Sequence, residues 1–457
     1  MRWDNCFTNQ RSGTTQSTPS QRTDYQRDFD RLIFSSSFRR LQNKTQVFPL
    51  PGSTFVHNRL THSLEVSSVG RSLGAMIGTH IAGSDVQSNE SAQRFYLNDL
   101  PNVIAAACLA HDIGNPAFGH SGEKAISNYF VENAETSIEG TRLIDHFSPH
   151  EWQDLITFEG NANALRVMTH PYRDKPETGM GLTLTTLASI IKYPCSSIGT
   201  DKHFKHRKKY GFFMTERETF QHIASSLHMH EESGSPLIYK RHPFVYLVEA
   251  ADDICYRVID LEDAQRLGII TKHRAADVLL HILEQLDKNA TGKIAKTFAD
   301  IKDNNDSIAY LRAKTINLLT ELTADLFISN KQAILDGSYT NTLLDEIEDS
   351  SPALTDLVKL SVKEIYQHHS VIEIEITGYH VMSHLLSLFI PAVLRERKVG
   401  TDKMALNLIP YQFTEYEEAE SPYLKVMSVV DYISGMTDSY ATEFYRKTTG
   451  IDISKHV

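Results

Sequence analysis

An all-α fold with at most one small β-hairpin is what this chain predicts. Three observations carry it. Apolar residues recur three and four apart over long stretches, strand-like alternation is scarce, and no proline interrupts the chain between Pro243 and Pro352. Taken in order, the polar stretch 9–24, "NQRSGTTQSTPSQRTD", reads as a loop, and residues 1–24 are expected as a mobile leader. "DYQRDFDRLIFSSSFRRLQ" starts the helical part and sets Phe29, Ile33 and Phe34 to one side. "HSLEVSSVGRSLGAMIGTHI" keeps the same helical repeat. In "DLPNVIAAACLAHD", Asp99 stands at the N-cap and Pro101 in the first turn. Ile308, Leu311, Leu318, Leu322 and Leu326 form a later stripe. "HVMSHLLSLFIPAVL" reads as a core helix, since its histidines and proline suit a buried helix better than a membrane span. The hairpin is expected near 204–215, in "HFKHRKKYGFFMT", and "VIEIEI" at 371–376 is the best strand candidate. No repeat and no clear linker appears, so residues 25–457 read as one domain, with a core over about 55–270 and a further helical part over about 271–457.

The 457 residues are 41% hydrophobic and 23% charged, ordinary values for a globular protein. The first residues carry no apolar stretch of the signal-peptide kind. Cys6, Cys108, Cys195 and Cys255 are widely spaced and form no CxxC pair, which argues against a zinc knuckle or a disulfide framework. A cytoplasmic protein is expected. A net charge of −11 argues against a surface that grips nucleic acid throughout, while leaving room for a local basic groove.

The densest chemistry lies in "ACLAHDIGNPAFGHSGEKA". An apolar helix runs straight into His111-Asp112, where a buried charge needs a partner. A glycine-rich loop follows, with His120 and Glu123 in it. His62 on an earlier helix and Asp252 on a later one complete a set of two imidazoles and two carboxylates. Such mixed nitrogen and oxygen ligation suits Mn, Mg or Fe with open positions better than a closed structural zinc site.

His62, His111-Asp112 and Asp252 are similar in order and setting to the H…HD…D signature of the HD-domain metal-dependent phosphohydrolases. Within that superfamily the chain resembles the deoxyguanosine triphosphate triphosphohydrolases. The landmarks are "RLQNKTQVFPLPG", "HNRLTHSLEV", "AHDIGNPAFGHSGE", "FEGNANALRV", "LASIIKYP", "KKYGFF" and "EAADDICYRVIDLEDA", in family order. They span roughly residues 25–270, and weaker resemblance continues to about 400.

The resemblance implies an HD helical fold and a divalent cofactor, Mn²⁺ or Mg²⁺, on His62, His111, Asp112 and Asp252. It implies hydrolysis of dGTP at the α-phosphate to deoxyguanosine and intact tripolyphosphate. His120 becomes the general acid or base, and Glu123, three residues on, is expected to hydrogen-bond it and raise its basicity. Asn115 stands where many members of the superfamily carry another histidine. Arg59, Lys192 with Tyr193, and Lys209 are the implied triphosphate contacts, the last from the basic run "DKHFKHRKKYGFF". Asn161 or Asn163 is expected to assist. Asp252, Tyr256 and Asp260 lie four apart on one helix face, so the tyrosine is expected to stack on the deoxyribose and Asp260 to accept from the 3′-hydroxyl. Gln46 and Val47 are expected to flank sugar and base, Glu375 to read the guanine edge and Tyr366 to stack on its ring. The alternatives are a broader dNTP triphosphohydrolase activated by a second nucleotide, and a nucleotide- or single-stranded-DNA-responsive regulatory protein. Relatives imply a homo-oligomer, hexameric in many cases, with single-stranded DNA as an effector in some.

Overall fold

The structure, a computed structural model, describes residues 1–13, 21–48, 56–287 and 291–451. The chain is 67% helical, and the described residues contain twenty α-helices and two small antiparallel strand pairs. The strands are β1 (Ser137–Ile138) with β2 (Thr141–Arg142), and β3 (Glu231–Gly234) with β4 (Leu237–Tyr239). The ten helices used below are numbered in chain order.

Helix α1 (Asp24–Ile33) starts at Thr23, whose hydroxyl and the Gln26 side chain form a reciprocal capping box. Its buried side is Tyr25, Asp28 and Leu32, whereas Phe34, expected on the apolar side, is 69% exposed beyond the helix end. The expectation of a leader over 1–24 is corrected for residues 1–13, which pack on the core through buried Trp3 and Cys6. Buried Arg11 anchors the same segment, 2.7 Å from the Asp28 carboxylate and 2.5 Å from the Gly181 carbonyl. Residues 14–20 of the expected leader, and 49–52 of the "RLQNKTQVFPLPG" landmark, lie outside the described residues.

Helices α2 (Arg59–Ser84) and α3 (Leu100–Ala110) pack side by side at the centre. Apart from Pro101 and Asn102, every residue of α3 is buried. Two glycines of α2 permit the close approach. A Cβ on Gly70 would lie 2.5 Å from Cys108 Sγ, and one on Gly78 would lie 2.1 Å from the Tyr96 carbonyl oxygen. This packing brings the first turn of α2 beside the last turn of α3, and so His62 beside His111. Asp99 stands at the N-cap of α3 as expected, but its side chain makes no capping bond, because the chain enters α3 from a π-helical turn at Phe95–Asp99.

Helix α4 (His120–Glu132) follows the glycine-rich loop, α5 is Gly160–Thr169, and α6 (Val245–Arg266) crosses α2. Helix α7 (Asn304–Leu335) carries the later stripe, with Ile308 and Leu311 buried and Leu318, Leu322 and Leu326 half-buried. Helix α8 (His369–Leu394) contains "VIEIEI", which is therefore not a strand. His368 caps its start by accepting from the Ser370 N–H, and glutamates favour helix, so local propensity outweighs the short alternation. The segment 204–215 is not a hairpin either. It makes short 3₁₀ turns, with Tyr210, Phe212 and Phe213 all buried and Lys205 and Lys209 paired to acids on other segments.

By length and composition α8 is apolar enough to cross a membrane, but Leu385, Leu386, Phe389 and Ile390 are fully buried in a second apolar cluster with α9 (Pro422–Ser434). Helix α10 (Asp438–Thr448) closes this part. Arg166 of α5 joins the two regions from complete burial, paired with Glu216 and, through two nitrogens, with Asp431 of α9. All four cysteines are buried free thiols.

Candidate active site

The ends of α2 and α3 and the middle of α6 meet at one side of a cleft of about 540 Å³. Asn58 caps α2 and sets its first turn, where His62 is buried. The His62 Nε2 lies 3.1 Å from Asp252 Oδ1 on α6. His111 sits at the C-cap of α3 and donates from Nδ1 to the Cys108 carbonyl at 2.7 Å, which leaves the Nε2 lone pair free to accept a ligand. That Nε2 is buried without a hydrogen-bond partner, 3.5 Å from Asp252 Oδ1 and 3.6 Å from Asp112 Oδ1. Ligand atoms of His62, His111 and Asp112 all lie within 4.8 Å of one another. An orphaned imidazole nitrogen amid two carboxylates and a second imidazole is a donor set that fits a divalent ion.

The electrostatics agree. Burial alone would raise the Asp252 carboxyl, but His111 and His62 outweigh it and hold it well below the usual carboxylate range. Asp112 is likewise held down against burial, first by Arg59 and then by the two histidines. Its Oδ2 accepts from Arg59 Nη1 at 2.8 Å and its Oδ1 from Asn115 Nδ2 at 2.5 Å. Asn115 thus orients the carboxylate. Gly119, at φ +54°, leaves the room that Arg59 occupies, since a Cβ there would meet its Nη2 at 2.5 Å.

His120 opens α4 and faces the cleft, exposed. Its pKa is lowered, first by desolvation within the cleft and then by Lys209 and Arg59. No hydrogen bond joins it to Glu123, and the expected pairing is corrected. Glu123 is turned away by the N-terminus of α5, where its Oε1 accepts from the Gly160 N–H at 2.8 Å. Beside it stands Glu159, a cleft residue the sequence reading passed over. It caps α5, accepts from Asn161 Nδ2 at 2.6 Å and pairs with Lys209 Nζ at 2.8 Å. Burial raises both Glu123 and Glu159, and the neighbouring Glu123 charge raises Glu159 further. The signal in the sequence was an acid directly before a glycine that opens a helix.

Of the two asparagines, Asn161 lines the cleft, while Asn163 is buried on the Gly114 carbonyl and Ser434. Arg59, Lys192, Tyr193 and Lys209 all line it. Lys192 is held by Glu249 at 3.3 Å, and Arg59 and Lys209 are held as described. Lys208 lines it too, exposed and without an ion-pair partner among the described residues, and was not singled out from the sequence.

Gln46, Val47, Tyr256, Tyr366 and Glu375 line the same cleft. The rings of Tyr256 and Tyr366 stack on each other, with centroids 5.7 Å apart. Asp260 does not line the cleft. It is buried behind Tyr366 and accepts from that hydroxyl at 2.8 Å, which fixes the ring. Burial pushes the Asp260 carboxyl far up. Arg257 pairs with Asp345 and Glu348 and not with its neighbour Asp253.

Comparison with known proteins adds the following. Residues 59–176 match the HD domain and 348–447 the phosphohydrolase-associated domain. The first match holds Arg59, His62, His111, Asp112, His120, Glu123 and Glu159, and the second holds Tyr366, Glu375 and Asp438. The chain is 36% identical to a deoxyguanosinetriphosphate triphosphohydrolase-like protein of Synechocystis, over 99% of this chain and all of that one. It is 34% identical to one of Listeria innocua, again over 99% of this chain and all of that one. A deoxyguanosinetriphosphate triphosphohydrolase of Yersinia enterocolitica is 30% identical over 93% of both chains.

Proposed function

This chain belongs to the deoxyguanosinetriphosphate triphosphohydrolase-like family of HD-domain phosphohydrolases, and we propose that it hydrolyses dGTP at the α-phosphate, releasing deoxyguanosine and intact tripolyphosphate. The observation that carries the reading is the orphaned His111 Nε2, in a cleft that also presents Arg59, Lys192, Lys208 and Lys209 and the rings of Tyr193, Tyr256 and Tyr366.

A divalent ion, Mn²⁺ or Mg²⁺, held by His62, His111, Asp112 and Asp252 supplies Lewis acidity beside the phosphate. The rest falls to side chains. Lys208, which forms no ion pair among the described residues, takes a phosphate directly, while Lys209 and Lys192 exchange carboxylate contacts for phosphate oxygens. Arg59 keeps Asp112 and offers its remaining nitrogens to the α-phosphate. Water attacks phosphorus, the bond from phosphorus to O5′ breaks, and the departing O5′ takes a proton. His120, kept neutral further into acid by its lowered pKa, is placed to take the attacking water's proton as general base.

Tyr256, with Tyr366 stacked against it, bounds the sugar together with Gln46 and Val47 of the same cleft. A 2′-hydroxyl against Tyr256 loses its water without gaining a partner, which costs about 1–3 kcal/mol. Strong preference for dGTP over GTP is expected, and Tyr256→Ala is expected to narrow it while slowing dGTP turnover. The test is kcat/KM for the four dNTPs and GTP on both proteins. Equal use of GTP and dGTP by the wild type would overturn the sugar assignment. Equal use of all four dNTPs would remove Glu375 from base selection and leave a broader dNTP triphosphohydrolase.

A further inference from the structure

The turn between α9 and α10 lies well beyond the cleft-lining residues in sequence, yet it touches both walls of the cleft. We propose that Asp438 is a positioning residue, its one carboxylate fixing the Thr45–Val47 wall relative to the Phe118–Ser121 wall that carries His120. The inference rests on the reading of the cleft as the nucleotide site.

The geometry is specific. Asp438 is buried, its Oδ2 accepts from the Thr45 N–H at 2.8 Å, and its Oδ1 accepts from the Phe118 N–H at 2.9 Å. Each oxygen therefore serves one wall. Asp438 is also the first residue of α10, where the helix dipole favours an anion. Asp438 forms no ion pair among the described residues, and the two N–H bonds, the helix end and the nearby buried Lys44 together hold its charge.

Phe118 needs such a hold. Its φ is +61°, a left-handed conformation that a β-carbon disfavours and that persists only where the surroundings enforce it. Its ring is pressed against α8, where a Cβ on Gly378 would lie 2.5 Å from it. The same turn grips the loop twice more. Buried Lys44 donates to the Asn115 carbonyl at 2.5 Å and to the Ser434 carbonyl at 3.0 Å. Asn163 donates to the Gly114 carbonyl at 2.7 Å and to Ser434 Oγ at 3.3 Å. The bonds from Ser434 to Asp438 thus span the loop from Gly114 to Phe118, two residues before His120.

The experiment uses the full chain with Asp438→Ala, which removes both acceptors, and Asp438→Asn, which keeps the size but turns an amide N–H₂ toward one of the two donors. Backbone hydrogen exchange is read on peptides covering 44–48 and 115–121, with α2 as reference. The kinetics of dGTP hydrolysis are read well below each variant's Tm. Expected are faster exchange in both peptides with α2 unchanged, and a fall in kcat of about 10²-fold for Asp438→Ala, as for an ångström-scale misplacement. A smaller fall is expected for Asp438→Asn, with KM little changed in both. Wild-type exchange in either peptide, exchange that rises throughout the chain, or unchanged kcat in Asp438→Ala would overturn the proposal. If Asp438→Ala does not fold, Asp438→Asn decides on the same readouts. A wild type that turns over no dNTP would sink the substrate reading, and the exchange result would still decide the role of Asp438.

Discussion

Replacing Asp112 by alanine is expected to remove bound divalent metal and turnover together. Asp112 stands at the centre of the ligand set. Its Oδ1 faces the orphaned His111 Nε2 at 3.6 Å, and its two oxygens also hold Asn115 and Arg59. Without the carboxylate, two imidazoles and Asp252 remain, and the Arg59 guanidinium is left as an unpaired cation beside them. The substitution therefore lowers affinity twice, by taking away a ligand and by adding a positive neighbour. If Lewis acidity contributes about 4 kcal/mol to the transition state, turnover falls by about three orders of magnitude. Elemental analysis after equilibration with Mn²⁺ and gel filtration checks the first half of the prediction independently of activity. Full metal occupancy in Asp112→Ala would show that the ion, and with it the assignment, belongs elsewhere.

His120→Ala is expected to act on chemistry alone. His120 forms no hydrogen bond or ion pair with the proposed ligands and stands exposed at the first residue of α4, so metal content and dGTP binding are expected to be retained. Its proton transfer is worth about 10²–10⁴-fold in kcat. Desolvation within the cleft, followed by Lys209 and Arg59, lowers its pKa, so the imidazole stays neutral further into acid than a free histidine. As the base it must be neutral. The acid limb of kcat/KM is therefore expected below about 6.5 in the wild type, and that limb is lost in His120→Ala. A limb above that value, or near-wild-type kcat in the variant, would move proton transfer to another group, with Glu123 and Glu159 the nearest candidates.

The helical fold was legible because long stretches such as 308–326 repeat at three and four, a signal that survives almost any tertiary context. The errors fell where the signal was short. Six residues of alternation in "VIEIEI" lost to a capped helix, and the aromatic and basic mixture at 204–215 lost to burial of its rings. The segment 1–13 looked like a leader because its composition is polar, but Trp3, Cys6 and Arg11 suffice to anchor it.

In the site, the proposed metal ligands were readable because they sit in landmark motifs, and the structure brings all four together. Contacts between distant segments were not readable. Helical spacing put Asp260 in line with Asp252 and Tyr256, but it does not reveal that Tyr366 arrives from more than a hundred residues away and covers it. Spacing also suggested that Glu123 bonds His120, when the N–H of Gly160 takes its carboxylate first. Asp438 was invisible for the same reason, since it acquires its place only when separate elements meet, whereas Lys208 stands in the quoted basic run beside the preferred Lys209.

The most direct test of the account is hydrolysis of dGTP in ¹⁸O-enriched water, with products identified by mass. Attack on the α-phosphorus predicts unlabelled deoxyguanosine and an unbroken tripolyphosphate carrying one ¹⁸O. Formation of dGMP with pyrophosphate, of dGDP with orthophosphate, or of deoxyguanosine carrying the label would contradict it.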